Sequence, residues 1–151
     1  MTSKKTINSS HIETLLSCPF VHHVRGRCEK FRINFSLSLT SDCLCISDGD
    51  TTDGFFDPPS RTTPGTLCLS VAGKDLSEIY HTLAHEFSHL EQWVRDDALW
   101  VKWMKRSSRK STLALERRTE EEALEILKQF NLYDDSMLDR MNKYLRRLEN
   151  S

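Results

Sequence analysis

Residues 81–93, HTLAHEFSHLEQW, place His85 and His89 four apart, with Glu86 directly after the first histidine. Positions i and i+4 of a helix lie one turn apart on the same side. Two imidazoles so placed can reach one Zn2+ at about 2.0–2.1 Å each. The glutamate beside the first histidine points to the neighbouring side, where it can take a proton from a metal-bound water whose pKa the zinc lowers to near 7. The spacing therefore predicts His85 and His89 as metal ligands and Glu86 as the general base of a zinc-assisted hydrolysis. The competing reading is a solvated polar face that carries histidines. The helical wheel favours the first: Leu76, Ile79, Tyr80, Leu83, Phe87, Leu90 and Val94 make one apolar stripe, with Glu78, His81, His85, His89 and Gln92 opposite. One face is then built for a core and the other for a cleft.

A catalytic zinc takes three protein ligands and keeps one position open. His81 shares the polar face, but it stands two turns from His89, about 12 Å along the axis, so one ion cannot hold both. Glu78 fails for the same reason. No histidine follows His89, which excludes the long metzincin motif, whose Gly and His would fall at Gln92 and Arg95. A downstream carboxylate is expected instead. In ERRTEEEALEILKQF, a buried face of Ala123, Ile126, Leu127 and Phe130 leaves Glu116 and Glu120 on the inner side and turns Glu121, Glu122 and Glu125 away. Glu120 is the expected third ligand, with Glu116, Asp96 and Asp97 as alternatives. The other reading of this acidic run is a solvated helix N-terminus favoured by the macrodipole.

These residues need elements to hold them. FRINFSLSL (31–39) alternates apolar and polar residues and reads as a half-buried strand. DCLCIS (42–47) and TLCLSVA (66–72) read as two more, so strands occupy about 20–72. DGDTTDGFFDPPSRTTPG between them reads as a loop or long turn. A short helix is expected near 12–16, with Ser9 or Ser10 as cap. The catalytic helix spans about 76–94, capped by Asp75 or Ser77. A basic stretch, KWMKRSSRK (102–110), interrupts the pattern, and C-terminal helices fill about 112–149. The expectation is one α+β domain over 1–151, a short antiparallel or mixed sheet packed on the catalytic helix and C-terminal helices.

The composition bounds the function. With 38% hydrophobic and 28% charged residues and a formal net charge of −1, nothing global draws the chain to nucleic acid or membrane. No apolar run approaches the roughly 20 residues of a membrane span. MTSKKTINSSHIETLL lacks the apolar stretch of a secretory signal, and the five cysteines fit reduced thiols better than a disulfide framework. A soluble cytoplasmic protein is expected. Cys43, Cys45 and Cys68 as a second metal site are outweighed by their reading as strand core residues. Lys102, Lys105, Arg106, Arg109 and Lys110 around Trp103 suggest a nucleic-acid partner, against the plainer reading of a solvated surface.

TLAHEFSHLEQ resembles the HExxHxxQ helix of small gluzincin-type zinc metallopeptidases, and Glu120-Glu121-Glu122-Ala123 resembles their third-ligand helix. Such domains include bacterial and phage proteins and the repressor-cleaving, immunity-type proteases. The resemblance implies a zincin-like fold, zinc held by His85, His89 and Glu120, Glu86 as base, and a peptide or protein substrate aligned on a sheet edge. Ser88 and Leu124 depart from the pattern, where Gly and Asp or Asn are usual. A fainter similarity to SprT-like DNA-associated proteases lies in the spacing of Trp100 and Trp103, but those use a third histidine. TLCLSVA is the strand expected to pair with substrate by strand addition, and His81 or Tyr80 the expected oxyanion donor. The rival function is a binding module in which zinc only staples helices together.

Overall fold

The computed structural model describes residues 9–40, 44–47 and 50–151. Two helices come first, α1 (Ser9–Ser17) and α2 (Pro19–Lys30). Residues 20–30, expected to open the strand region, are therefore helical. Pro19 supplies the pre-set φ of a first helical position, and Phe20, Val21, Val24 and Cys28 fall on one buried helical face. Four apolar residues, two of them β-branched, make too short a pattern to declare a helix by period alone.

Strand β1 (Ile33–Ser38) follows, then β2 (Leu44–Ser47), β3 (Asp50–Thr52), β4 (Gly54–Asp57) and β5 (Gly65–Ser70). The expected loop thus contains two short strands. Cys43 and part of the DGDTTDG stretch lie outside the described residues. One sheet has the order β1-β5-β4, with β1 parallel and β4 antiparallel to β5; β2 and β3 form a separate antiparallel pair. Strand β5 is consequently central. Its hydrogen-bonding groups are taken on both sides, so it cannot accept a substrate strand as expected; among the described residues, β4 pairs on one side only. Gly54 opens β4 because a Cβ there would meet Thr82 at 2.9 Å and Leu69 at 2.8 Å. Glycine lets this edge lie against the next helix.

That helix, α3 (Leu76–Val94), starts where Asp75 accepts the Glu78 backbone N–H at 2.8 Å. It lies against β4 and β5. Helix α4 (Ala98–Lys105), capped by Asp97, covers part of the segment read as an interruption, and the break falls at 106–108. A reciprocal capping box between Ser108 and Ser111 opens α5 (Arg109–Gln129). Asp134 caps α6 (Asp135–Glu149). Among the described residues the architecture is α+β, six helices around a small mixed sheet. Among the described residues, no helix is long and apolar enough to cross a membrane.

The core joins Leu67 and Leu69 of β5 to Ile79, Leu83, Phe87 and Leu90 of α3 and Ala123 and Leu127 of α5. Phe20 ties the N-terminal helices to it, with its ring 6.0 Å from Phe87 and 5.0 Å from Phe130. It is fully buried, so Phe20→Ala is expected to cost about 3–5 kcal/mol of stability, read by urea denaturation.

Candidate metal centre

The buried apolar face of α3 fixes the orientation of the opposite face. His85 and His89 project from it one turn apart, their rings 4.9 Å apart and nearly perpendicular. From the facing helix α5, Glu116 enters between them. Its Oε2 lies 2.8 Å from His85 Nε2 and its Oε1 3.4 Å from His89 Nε2. One ligand atom from each of the three residues lies within 4.8 Å of the others.

The outer contacts of the two imidazoles differ from the inner ones. His89 Nδ1 is 2.9 Å from Gln92 Oε1. The Gln92 amide is oriented by its other end: Nε2 donates to Thr119 Oγ1 at 2.9 Å and to Glu122 at 3.2 Å. Thr119 gives its own proton to the Leu115 carbonyl, so its oxygen can only accept here. Gln92 Oε1 therefore faces His89, places the proton on Nδ1 and leaves Nε2 with its lone pair inward. On the other side, His85 Nδ1 faces Glu120 Oε2 at 3.6 Å, an electrostatic contact longer than a hydrogen bond. His81 Nε2 donates to the same oxygen at 2.9 Å, because His81 Nδ1 accepts from Arg140 Nε at 3.3 Å.

A divalent cation fits this donor set. Glu116 Oε2 is buried without a hydrogen-bond partner. Its 2.8 Å approach to His85 is close but not directed as a hydrogen bond. Two imidazole nitrogens, each with a polar contact at its outer nitrogen, and a carboxylate are ligands of the kind zinc takes in catalytic sites. The protonation balance agrees. Burial opposes charge on His85, yet the contacts with Glu116 and Glu120 push its pKa well above the ordinary value. An imidazole so placed holds a proton or a metal. The same histidines hold Glu116 far below the usual carboxylate range despite burial, and His81 and His85 bring Glu120 down to about 2 against the same opposing effect.

Glu86 is buried beside this group without joining it. Burial raises its pKa, opposed by His85 and His89 and assisted by Glu116 and Glu120. Together with His85, His81 and Glu120 it lines a cavity of about 1000 Å3, whose other walls are the Thr51–Gly54 turn and helix α6. From α6, Tyr144 places its ring 5.8 Å from His85, edge-on. Burial first, then the negative charges of Glu116, Glu120 and Glu86, raise the phenol pKa and keep it protonated. Trp100 of α4 is buried against His89, the two rings 5.4 Å apart.

The expected site residues divide accordingly. His85, His89 and Glu86 come together, and Glu116 rather than Glu120 completes the triad; Glu120 supports His85 and pairs with His81. Asp97 caps α4 and binds Arg118 and Arg95, and Asp96 is exposed, so neither approaches the metal group. Neither expected oxyanion donor is placed for the task. Tyr80 is buried on the core side of α3 beside Cys18, and His81 has both nitrogens engaged. Tyr144 has no local motif around it; its place in a polar stripe of α6 is the only signal the sequence offers. Among the cysteines, Cys18 and Cys28 are buried free thiols and Cys68 is a half-buried one. Trp103 packs on Trp100 and donates its indole N–H to Thr112.

No family model matches the chain. Neither a curated protein nor a solved structure is significantly similar to it.

Proposed function

We propose that this chain is a zinc metallopeptidase with a zincin-like domain, in which His85, His89 and Glu116 hold the metal and Glu86 is the general base. The observation that carries this reading is the convergence of both histidine Nε2 atoms on one carboxylate with a buried, unpartnered oxygen. A site serving only to staple helices needs no further carboxylate, yet Glu86 lies beside this one and lines the cavity. That favours hydrolysis over a binding module.

Zinc bound by these three residues supplies Lewis acidity toward a carbonyl oxygen and acidifies a water. The protein residues do the rest. Glu86, its basicity raised by burial, takes the proton of the attacking water and delivers it to the leaving amine. The edge of β4 that is unpaired among the described residues takes the role expected of β5, aligning an extended peptide through backbone hydrogen bonds. Tyr144 keeps its proton and donates it as a hydrogen bond to the oxyanion. Tyr144→Phe is expected to lower kcat by about 10²–10³-fold while zinc content stays at the wild-type level, measured by peptide cleavage with elemental analysis.

The function is tested by cleavage of a mixed peptide library by the purified protein. Expected are stoichiometric zinc, cleavage abolished by a chelator and cleavage restored by zinc. Zinc without cleavage of any peptide would favour the stapled binding module, and failure to take up zinc would remove both.

A further inference from the structure

The wall of the cavity made by α6 carries a stripe of cations. Arg140, Lys143, Tyr144 and Arg147 follow at intervals of three, one and three residues, which puts them on one helical face, and all four line the cavity together with Arg146. Arg140 is committed to Ser77, Ser136 and His81. Among the described residues, the side chains of Lys143, Arg146 and Arg147 have no hydrogen-bonded or ion-paired partner. Lys143 and Arg147, four residues apart, repel each other on the helix surface. The helix dipole accounts for a cation in the last turn. It does not account for a stripe that begins a turn earlier and faces a cavity. Two acidic residues line that cavity outside the metal site: Asp53, paired with Lys74 at 3.3 Å, and Glu78 in the first turn of α3.

We infer that this wall selects the substrate: the enzyme takes acidic peptides, with Asp or Glu at alternate positions on one side of the scissile bond read by Lys143 and Arg147, and Arg146 adding to the field. This rests on the metallopeptidase reading and on β4 as the aligning edge. The spacing supports it. Lys143 and Arg147 stand about 6 Å apart along α6. Side chains on one face of an extended peptide repeat at about 6.8 Å. The Thr51–Gly54 segment, which leads into β4, lines the same cavity as Lys143 and Arg147, so acidic side chains of a peptide bound there meet these unpaired cations. Tyr144 lies in the same stripe, so specificity and oxyanion contacts come from one helix.

The test measures binding separately from cleavage. Fluorescent peptides with alternating acidic, neutral or basic residues, and a single-stranded oligonucleotide of similar length, are titrated into zinc-loaded Glu86→Gln protein at low salt. The acidic peptide is expected to bind about tenfold tighter than the neutral one, the sum of a few exposed ion pairs. That preference should vanish at high salt and reverse toward the basic peptide in Glu86→Gln/Lys143→Glu/Arg147→Glu, whose exposed substitutions leave the circular dichroism unchanged. Equal binding of acidic and neutral peptides overturns the inference whether or not wild type cleaves. An oligonucleotide that binds tighter than the acidic peptide and is lost on the same charge reversal overturns it in favour of nucleic acid. Cleavage of neutral peptides by wild type reports on the metallopeptidase reading alone, so the two can fail separately.

Discussion

Glu86→Gln is expected to retain zinc at the wild-type stoichiometry and to lose peptide cleavage by about 10²–10⁴-fold in kcat, the usual contribution of a positioned general base. Glutamine keeps the shape and the hydrogen-bonding oxygen but cannot accept the water proton. The metal group is complete without Glu86, since its three ligand atoms come from His85, His89 and Glu116. Burial raises the Glu86 pKa and the neighbouring histidines hold it back, which suits a group that must both take up and release a proton. Elemental analysis and steady-state kinetics on the same preparation check both halves. Loss of zinc along with activity would make Glu86 a ligand. Full activity in the variant would remove it from the mechanism.

The central part of this site was legible because it lies within one helix. His85, Glu86 and His89 are related by helical geometry alone, and the apolar stripe that orients them belongs to the same nineteen residues. The C-terminal helices were legible through their periodicity, and β1 through its alternation. What was not legible depends on how separate elements meet. Strand β5 reads as a substrate strand until β4 and β1 are found on either side of it, and β4 has only Gly54-Phe55-Phe56-Asp57 to announce it within a turn-rich stretch. Tyr144 reaches the site because α6 packs back across α3 and α5, a relation that no spacing within α6 contains.

The choice between Glu116 and Glu120 shows the same limit at its sharpest. Both lie on the inner face of α5, one turn apart, and a shift of α5 by about 5.4 Å along its axis would exchange them. The register is set outside that helix. Asp97 holds the turn after α3 by capping α4 and binding Arg118 of α5 at 2.7 Å. Trp103 ties α4 to Thr112 at 3.1 Å. Gln92 ties α3 to Thr119. With these in place Glu116 faces both Nε2 atoms, while Glu120 faces an Nδ1 and His81. Zinc affinity is therefore expected to fall by well over about 100-fold in Glu116→Gln, beyond the effect of an outer contact, and by about 10–100-fold in Glu120→Gln, whose cleavage should recover at saturating zinc. Competition with a fluorescent chelator measures both. A larger loss in Glu120→Gln than in Glu116→Gln would restore Glu120 as the ligand and require α5 to sit one turn further along α3 when the metal binds. The predicted order instead makes His81 and Arg140 part of the support for Glu120, connecting α6 to the orientation of His85 through two hydrogen bonds and one electrostatic contact.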